Sequence, residues 1–177
     1  MVSGSTPVTG EFAGALAVIL AAVLGWAGAA KMRTAAEFDA SLAVLLPAGL
    51  RRPARVVVPM VEIGLAGWLV SGVAARPAGL AATVLLGTFL VAQAVLRRAG
   101  YSGCGCFGGP DTMPGQLAWV RTAGLLVAAL AIAAFAADRS GWWLSSPATL
   151  LAQATVALGV VLCWHCGLAL ATWRRVR

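Results

Sequence analysis

Four cysteines in two close pairs are the residues best suited to chemistry in this chain. Cys104 and Cys106 are separated by one glycine, and Cys163 and Cys166 are separated by two residues, one of which is His165. On a helix, the spacing of Cys163 and Cys166 puts both sulfurs on one face, near enough to form a disulfide. A disulfide across one residue closes a small strained ring, which favours exchange. The pairs therefore predict thiol–disulfide chemistry, with cationic His165 as a group that would stabilise a thiolate.

Two pairs of this kind allow a relay. A partner dithiol would be oxidised by Cys104 and Cys106, and these would be reoxidised by Cys163 and Cys166 through thiolate exchange. The second pair then needs an electron acceptor. Because this pair lies in a long apolar segment suited to a membrane, a lipid-soluble quinone is the candidate cofactor. No quinone-binding motif is present in the sequence. On this interpretation the protein is a thiol–disulfide oxidoreductase or an accessory to one.

Two other interpretations of the cysteines stay open. Thiolates at the spacing of Cys104 and Cys106 suit soft ions such as Cu(I) or Hg(II), which would make the chain a metal-binding or metal-transport protein. Zinc would ordinarily need four ligands, and the sequence has a single histidine. Alternatively, the cysteines pack as small apolar side chains in a non-catalytic membrane helper subunit.

The composition places these residues in a membrane protein. The 177 residues are 60% hydrophobic and only 11% charged, and residues 12–30 contain no charged side chain. So much apolar surface requires a lipid solvent, so the bilayer is the first partner of this chain. The net charge of +7 comes from basic residues between apolar segments, which argues against nucleic-acid binding and for topology signals. Five segments are long enough to cross: about 12–31, 55–75, 78–96, 117–137 and 148–172.

The predicted fold is therefore an all-α transmembrane bundle with one additional short helix. Apolar residues recur at helical spacing between the first two crossings and stop at Pro47, which predicts an interfacial helix. Residues 1–11 form an N-terminal tail, residues 12–140 a transmembrane domain with a CxC loop at 97–116, and residues 141–177 a further crossing with the CxxC and a basic tail. The apolar residues of the interfacial helix are Phe38, Leu42, Leu45 and Leu46. Glycines expected at close helix contacts are Gly25, Gly28, Gly64, Gly67, Gly87 and Gly159.

Glu62 is an acidic residue inside the second predicted crossing. A carboxylate within a membrane costs several kcal/mol unless it is neutral or paired, so Glu62 marks either a functional site or a structural ion pair. Five crossings would bring Lys31, Arg121, the CxC loop and the end of the fifth crossing to the same membrane face. Lys31 and Arg121 are therefore the candidate partners of Glu62 and supporting residues of the site.

Charge and redox chemistry disagree about which face this is. Disulfide formation belongs outside the cell, because the cytosol keeps thiols reduced. The positive-inside rule instead makes the cysteine face cytoplasmic, since Arg76 and Arg139 stand alone on the other face. The basic residues of the cysteine face are Lys31, Arg33, Arg51, Arg52, Arg55, Arg97, Arg98, Arg174, Arg175 and Arg177.

The CGCFGG stretch at residues 104–109, after Arg97 and Arg98, resembles the signature of the methylamine utilisation protein MauE family, relatives of the DoxX membrane proteins. The resemblance covers roughly residues 12–140. Other positions that agree with the pattern are Lys31, Phe38, Leu46, Pro47 and Glu62.

This resemblance implies a four-helix DoxX-like core in the inner (plasma) membrane, with one crossing added. It also implies redox maturation: the member of the family from methylamine operons is thought to help form disulfides in an amine dehydrogenase subunit, with a thioredoxin-like partner. Among functional residues it implies only Cys104 and Cys106. Cys163 and Cys166 depend on the chemical argument alone, and methylamine as a substrate does not follow.

Overall fold

Every described element of the protein is a helix. The computed structural model describes residues 7–100 and 115–136, and these ranges contain no β-strand. The helices are α1 (Pro7–Arg33), α2 (Ala35–Leu45), α3 (Ala48–Ser71), α4 (Ala75–Arg98) and α5 (Gly115–Phe135).

Four of these helices are long and apolar enough to cross a membrane, which confirms a multi-pass helical membrane protein. The fifth predicted crossing, at 148–172, lies outside the described residues. The four spans are Phe12–Arg33, Ala48–Ser71, Ala75–Arg98 and Ala118–Phe135.

The short helix between the first two spans is present as predicted. α2 has only 11 residues, too few to cross a bilayer, and it buries Phe38 and Leu42. It ends where Leu46 turns to an extended conformation, the backbone that a following proline imposes. Arg51 of α3 then donates hydrogen bonds to the carbonyls of Leu46 and Ala43, both at 3.0 Å. α3 therefore caps the C-terminal end of α2.

The predicted bounds of the second crossing were wrong by several residues. The sequence placed this crossing at 55–75, whereas α3 begins at Ala48 and ends at Ser71. The arginines before residue 55 suggested a polar segment outside the helix, but a helix tolerates charges in its first turns. Pro53 and Pro59 each remove one backbone donor without ending α3. At the other end Gly72 adopts a left-handed conformation with φ 67°, a common way to stop a helix.

The turn between α3 and α4 is held by side chains of α3. Trp68 donates its indole N–H to the carbonyl of Val73 at 2.9 Å, and the Ser71 hydroxyl donates to the carbonyl of Trp68 at 2.7 Å. Ala74, the residue before α4, has φ 49° and ψ 57°. A residue with a Cβ atom in this left-handed region is strained by roughly 1–2 kcal/mol.

Close contacts show that neighbouring spans are antiparallel. On α1 and α3, a Cβ atom at Gly25 would lie 3.6 Å from Ala66 Cβ, and one at Gly28 would meet Pro59 and Glu62. Positions therefore increase along α1 as they decrease along α3. α4 and α5 are related in the same way, because Gly79 lies against the backbone of Ala133 while Gln93 bonds Thr122.

This arrangement gathers four helix ends at one end of the bundle, here called the basic end. It contains the C-terminal ends of α1 and α4 and the N-terminal ends of α3 and α5, together with α2. Among the described basic residues, only Arg76 lies at the opposite end, where it donates to the carbonyl of Ala134 at 3.5 Å. The basic residues at this end are Lys31, Arg33, Arg51, Arg52, Arg55, Arg97, Arg98 and Arg121.

The predicted role of glycine is confirmed only on α1. A Cβ atom on Gly28 would lie 2.9 Å from both the Pro59 carbonyl oxygen and Ile63 Cγ1, so only glycine fits. Among residues 7–100 and 115–136, no neighbouring atom lies within 4 Å of a Cβ position on Gly64, Gly67 or Gly87, so the described helices make no close contact there. Gly79, which the sequence did not single out, makes the tightest contact of this kind, 2.7 Å from the Ala133 nitrogen. Gly159 lies outside the described residues.

Candidate functional site

The residues predicted to perform redox chemistry lie outside the described part of the chain. This applies to Cys104, Cys106, Cys163, Cys166 and His165. What the structure does place are the two helices that the CxC segment joins. α4 ends at Arg98 and α5 begins at Gly115, both at the basic end, so the CxC segment is attached to the described bundle at that end. The described residues of this end are therefore the surroundings in which the site is sought.

A buried ion pair joins α1 to α3 at the basic end. Lys31 Nζ lies 2.6 Å from Glu62 Oε1, and the two side chains are 0% exposed. The sequence left Lys31 and Arg121 as partners of Glu62, and the structure selects Lys31. The close approach at Gly28, one helical turn before Lys31, brings the two backbones near enough for this contact. A pair of opposite charges is how a membrane helix tolerates an internal carboxylate.

Two aromatic rings lie near the Lys31 ammonium. Its nitrogen lies 5.0 Å from the centre of the Phe89 ring and 5.8 Å from that of Phe38. Both distances suit a cation–π attraction, which is stronger where water is excluded. Because Phe38 belongs to α2 and Phe89 to α4, the ammonium is the point at which α1, α2, α3 and α4 meet. Lys31 therefore organises the packing of the basic end.

Arg121 brings a second positive charge towards this point from α5. It lies close enough for its charge to repel that of Lys31. Glu62 is paired with Lys31, and Arg121 adds to the positive potential around Lys31. The basic end thus combines one buried ion pair with a second positive charge near Lys31.

A second buried polar contact, which sequence reasoning missed, links α4 to α5. The Gln93 side-chain amide donates to the Thr122 hydroxyl at 2.8 Å, and Thr122 donates in turn to the carbonyl of Ala118 at 3.0 Å. Gln93 and Thr122 are both buried. The available signal was that Gln93 is the one amide side chain within residues 78–96. Such a residue inside a membrane helix faces the bundle interior more often than lipid.

Among the described residues, Glu62 and Gln93 each keep one side-chain oxygen without a hydrogen bond. Within residues 7–100 and 115–136, neither Glu62 Oε2 nor Gln93 Oε1 has a donor in reach. No three His, Cys, Asp or Glu side chains in those ranges are grouped so as to bind a metal ion. The chemistry offered by the described residues is therefore that of hydrogen-bond acceptors beside a paired ammonium.

An exposed ion pair joins α2 to α3 on the outer surface of the basic end. Arg55 of α3 donates to Asp39 of α2 at 2.7 Å, and both side chains are more than a third exposed. Pairs of this kind contribute at most about 1 kcal/mol. Together with the Arg51 bonds to the end of α2, this contact holds α2 against α3 above the buried pair.

Comparison with known proteins agrees with the resemblance seen in the sequence. The family model of the methylamine utilisation protein MauE matches residues 9–137, which include all four described spans, the buried ion pair and the CxC segment. No curated protein and no solved structure matches the chain. Since the matched residues amount to more than half of the chain, this protein belongs to the MauE family of multi-pass membrane proteins.

Proposed function

We propose that the protein is a membrane thiol–disulfide redox protein in which Cys104 and Cys106 exchange disulfides with a thioredoxin-like partner or a substrate protein. The strongest support is that the CxC segment lies within the residues matched by the family model. The segment joins the C-terminal end of α4 to the N-terminal end of α5, both at the basic end. The arginines of that end add to the support, since positive charge favours the thiolate that attacks a disulfide.

The proposed disulfide exchange transfers two electrons. One S–S bond, between Cys104 and Cys106, breaks, and one S–S bond forms in the partner. Two electrons and two protons pass from the partner's thiols to the loop cysteines. Cys163 and Cys166 would then take the same electrons and protons and pass them to a quinone, which becomes a hydroquinone. The family name refers to methylamine utilisation, and an amine dehydrogenase subunit is the type of substrate that the family resemblance implies.

Labelling of the cysteines tests the proposal and the face on which it operates. Cells that produce the protein are treated with a membrane-impermeant maleimide before and after mild reduction, and the variant Cys104→Ser/Cys106→Ser provides the background. Labelling that appears only after reduction means an oxidised pair outside the cell, as a disulfide-forming role requires. In inverted vesicles, the same reduction-dependent labelling would mean a cytoplasmic pair, in accord with the arginines of the basic end.

A trapping experiment tests the exchange itself. Cys104→Ser leaves Cys106 without its internal partner, so a mixed disulfide with a redoxin or substrate should accumulate and disappear on reduction. A pair that is never oxidised on either face and forms no mixed disulfide would refute the proposal. Protection of Cys104 and Cys106 from maleimide by Cu(I) alone would instead favour the soft-metal interpretation.

A further inference from the structure

The two unbonded oxygens of the basic end are the starting point for a further site. Glu62 Oε2 and Gln93 Oε1 have no donor among residues 7–100 and 115–136, and both residues are at most 4% exposed. A buried acceptor without a donor costs about 1–3 kcal/mol, and more where it is charged. Because native proteins rarely leave such groups unsatisfied, a donor from outside these residues is expected.

The hydrogen bonds of Gln93 determine which of its amide atoms is unbonded. Thr122 uses its hydroxyl hydrogen on the carbonyl of Ala118, so it can only accept from Gln93. The nitrogen of the Gln93 amide must therefore face Thr122, and the oxygen is the atom left over. Glu62 presents the same situation, since Lys31 occupies Oε1 and leaves Oε2. Both unbonded atoms are acceptors and require a donor.

The two acceptors belong to one region of the interior. Lys31 Nζ touches Glu62 on α3 and faces the Phe89 ring on α4. Gln93 follows Phe89 by four residues, so it lies on the same side of α4, about 6 Å further towards the basic end. The acceptors thus belong to α3 and α4, the two helices that also supply Glu62 and Phe89 to the surroundings of the Lys31 ammonium.

Charge limits what the donor can be. Lys31 already neutralises Glu62, and Arg121 adds a positive charge nearby, so a cationic donor would meet repulsion within a membrane span. Neutral O–H groups remain as the suitable chemistry, because they donate without adding charge. We propose that Glu62 Oε2 and Gln93 Oε1 bind the hydroxyl groups of a neutral O–H donor inside the bundle.

Outside the chain itself, two sources supply this chemistry within a membrane: a hydroquinone dissolved in the lipid, and ordered water. The geometry of Glu62, Gln93 and Lys31 is independent of the cysteines. Only the link to a hydroquinone as the product of thiol oxidation rests on the proposed function. A test that measures binding and not thiol exchange therefore separates failure of this site from failure of the redox proposal.

The experiment uses the full chain in lipid nanodiscs and the probe decylubiquinol, a short-chain benzohydroquinone, in calorimetric titrations. Gln93→Met removes one acceptor, conserves volume and leaves the ion pair intact. Gln93→Leu removes the same acceptor with another side chain of similar volume and serves as a second variant if the first does not fold. The control is Thr83→Val on the same helix, whose hydroxyl bonds the carbonyl of Gly79 in its own helix. Circular dichroism and size-exclusion chromatography verify folding.

Loss of one hydrogen bond should weaken the binding of decylubiquinol about tenfold. Such weakening in either acceptor variant, with unchanged binding in the control, would support the site with a hydroquinone as its ligand. If decylubiquinol does not bind, infrared spectra in water and in ¹⁸O-labelled water are compared. A buried O–H band that shifts with the label and is absent from Gln93→Met would support the site with water as the donor. Equal binding in all variants, or neither signal, would overturn the proposal.

Discussion

Replacing Lys31 with methionine should destabilise the bundle far more than the net strength of its ion pair suggests. At 2.6 Å the two charges attract by about 6 kcal/mol if the effective dielectric constant is 20. Most of this attraction offsets the several kcal/mol needed to remove each ion from water. Removing one partner leaves a bare charge among apolar side chains, so Lys31→Met and Glu62→Met should each cost about 3–5 kcal/mol.

The double variant Lys31→Met/Glu62→Met should be more stable than the sum of the two single effects implies. With both charges gone, no uncompensated ion is left inside the bundle, and two flexible apolar side chains fill a similar volume. We expect the cycle of four proteins to give a coupling free energy on the order of 3 kcal/mol. The free energy of unfolding is measured in mixed micelles by circular dichroism as SDS is added, under reducing conditions so that no disulfide contributes.

The exposed pair of Arg55 and Asp39 provides the matched control. It has nearly the same N···O distance, 2.7 Å, but its side chains are 49% and 39% exposed. The same cycle with Arg55→Met and Asp39→Ala should therefore give a coupling of no more than about 1 kcal/mol. The reasoning is refuted if Lys31→Met alone costs less than about 1 kcal/mol, or if the buried cycle couples no more strongly than the exposed one.

Three further substitutions test the helix contacts and the α3–α4 turn, with the same unfolding measurement. Gly28→Ala should cost about 1–3 kcal/mol, because its Cβ would lie 2.9 Å from a backbone oxygen that cannot move away, whereas the control Gly64→Ala should be neutral or stabilising. Gly79→Ala should cost a similar amount, since its Cβ would lie 2.7 Å from the Ala133 nitrogen, and an unchanged midpoint would contradict the packing of α4 on α5. Ala74→Gly should stabilise by about 1 kcal/mol by relieving a residue at φ 49°, and a loss of stability would show that the turn is not strained.

Much of the architecture could be predicted from the sequence because it depends on local properties. Four described spans and the helix before Pro47 follow from runs of apolar residues, from their spacing and from the backbone restriction that proline imposes. The start of α3 was misplaced because Arg51 and Arg52 were expected to lie before the crossing, outside its helix. A helix exposes arginines in its first turns without losing its backbone hydrogen bonds, so charge is a weaker boundary signal than hydropathy.

The partners in the buried polar contacts could not be predicted from the local sequence. The sequence alone indicates that Glu62 must be either neutral or paired, since the cost of an ion in lipid does not depend on the fold. Lys31 and Arg121 were equal candidates until the tertiary structure brought α1 against α3 at Gly28 and paired Glu62 with Lys31. The contact between Gln93 and Thr122, and the acceptor oxygens left without donors, depend on distances between helices. Such distances are set by packing across the whole bundle, which residue spacing along one helix does not encode.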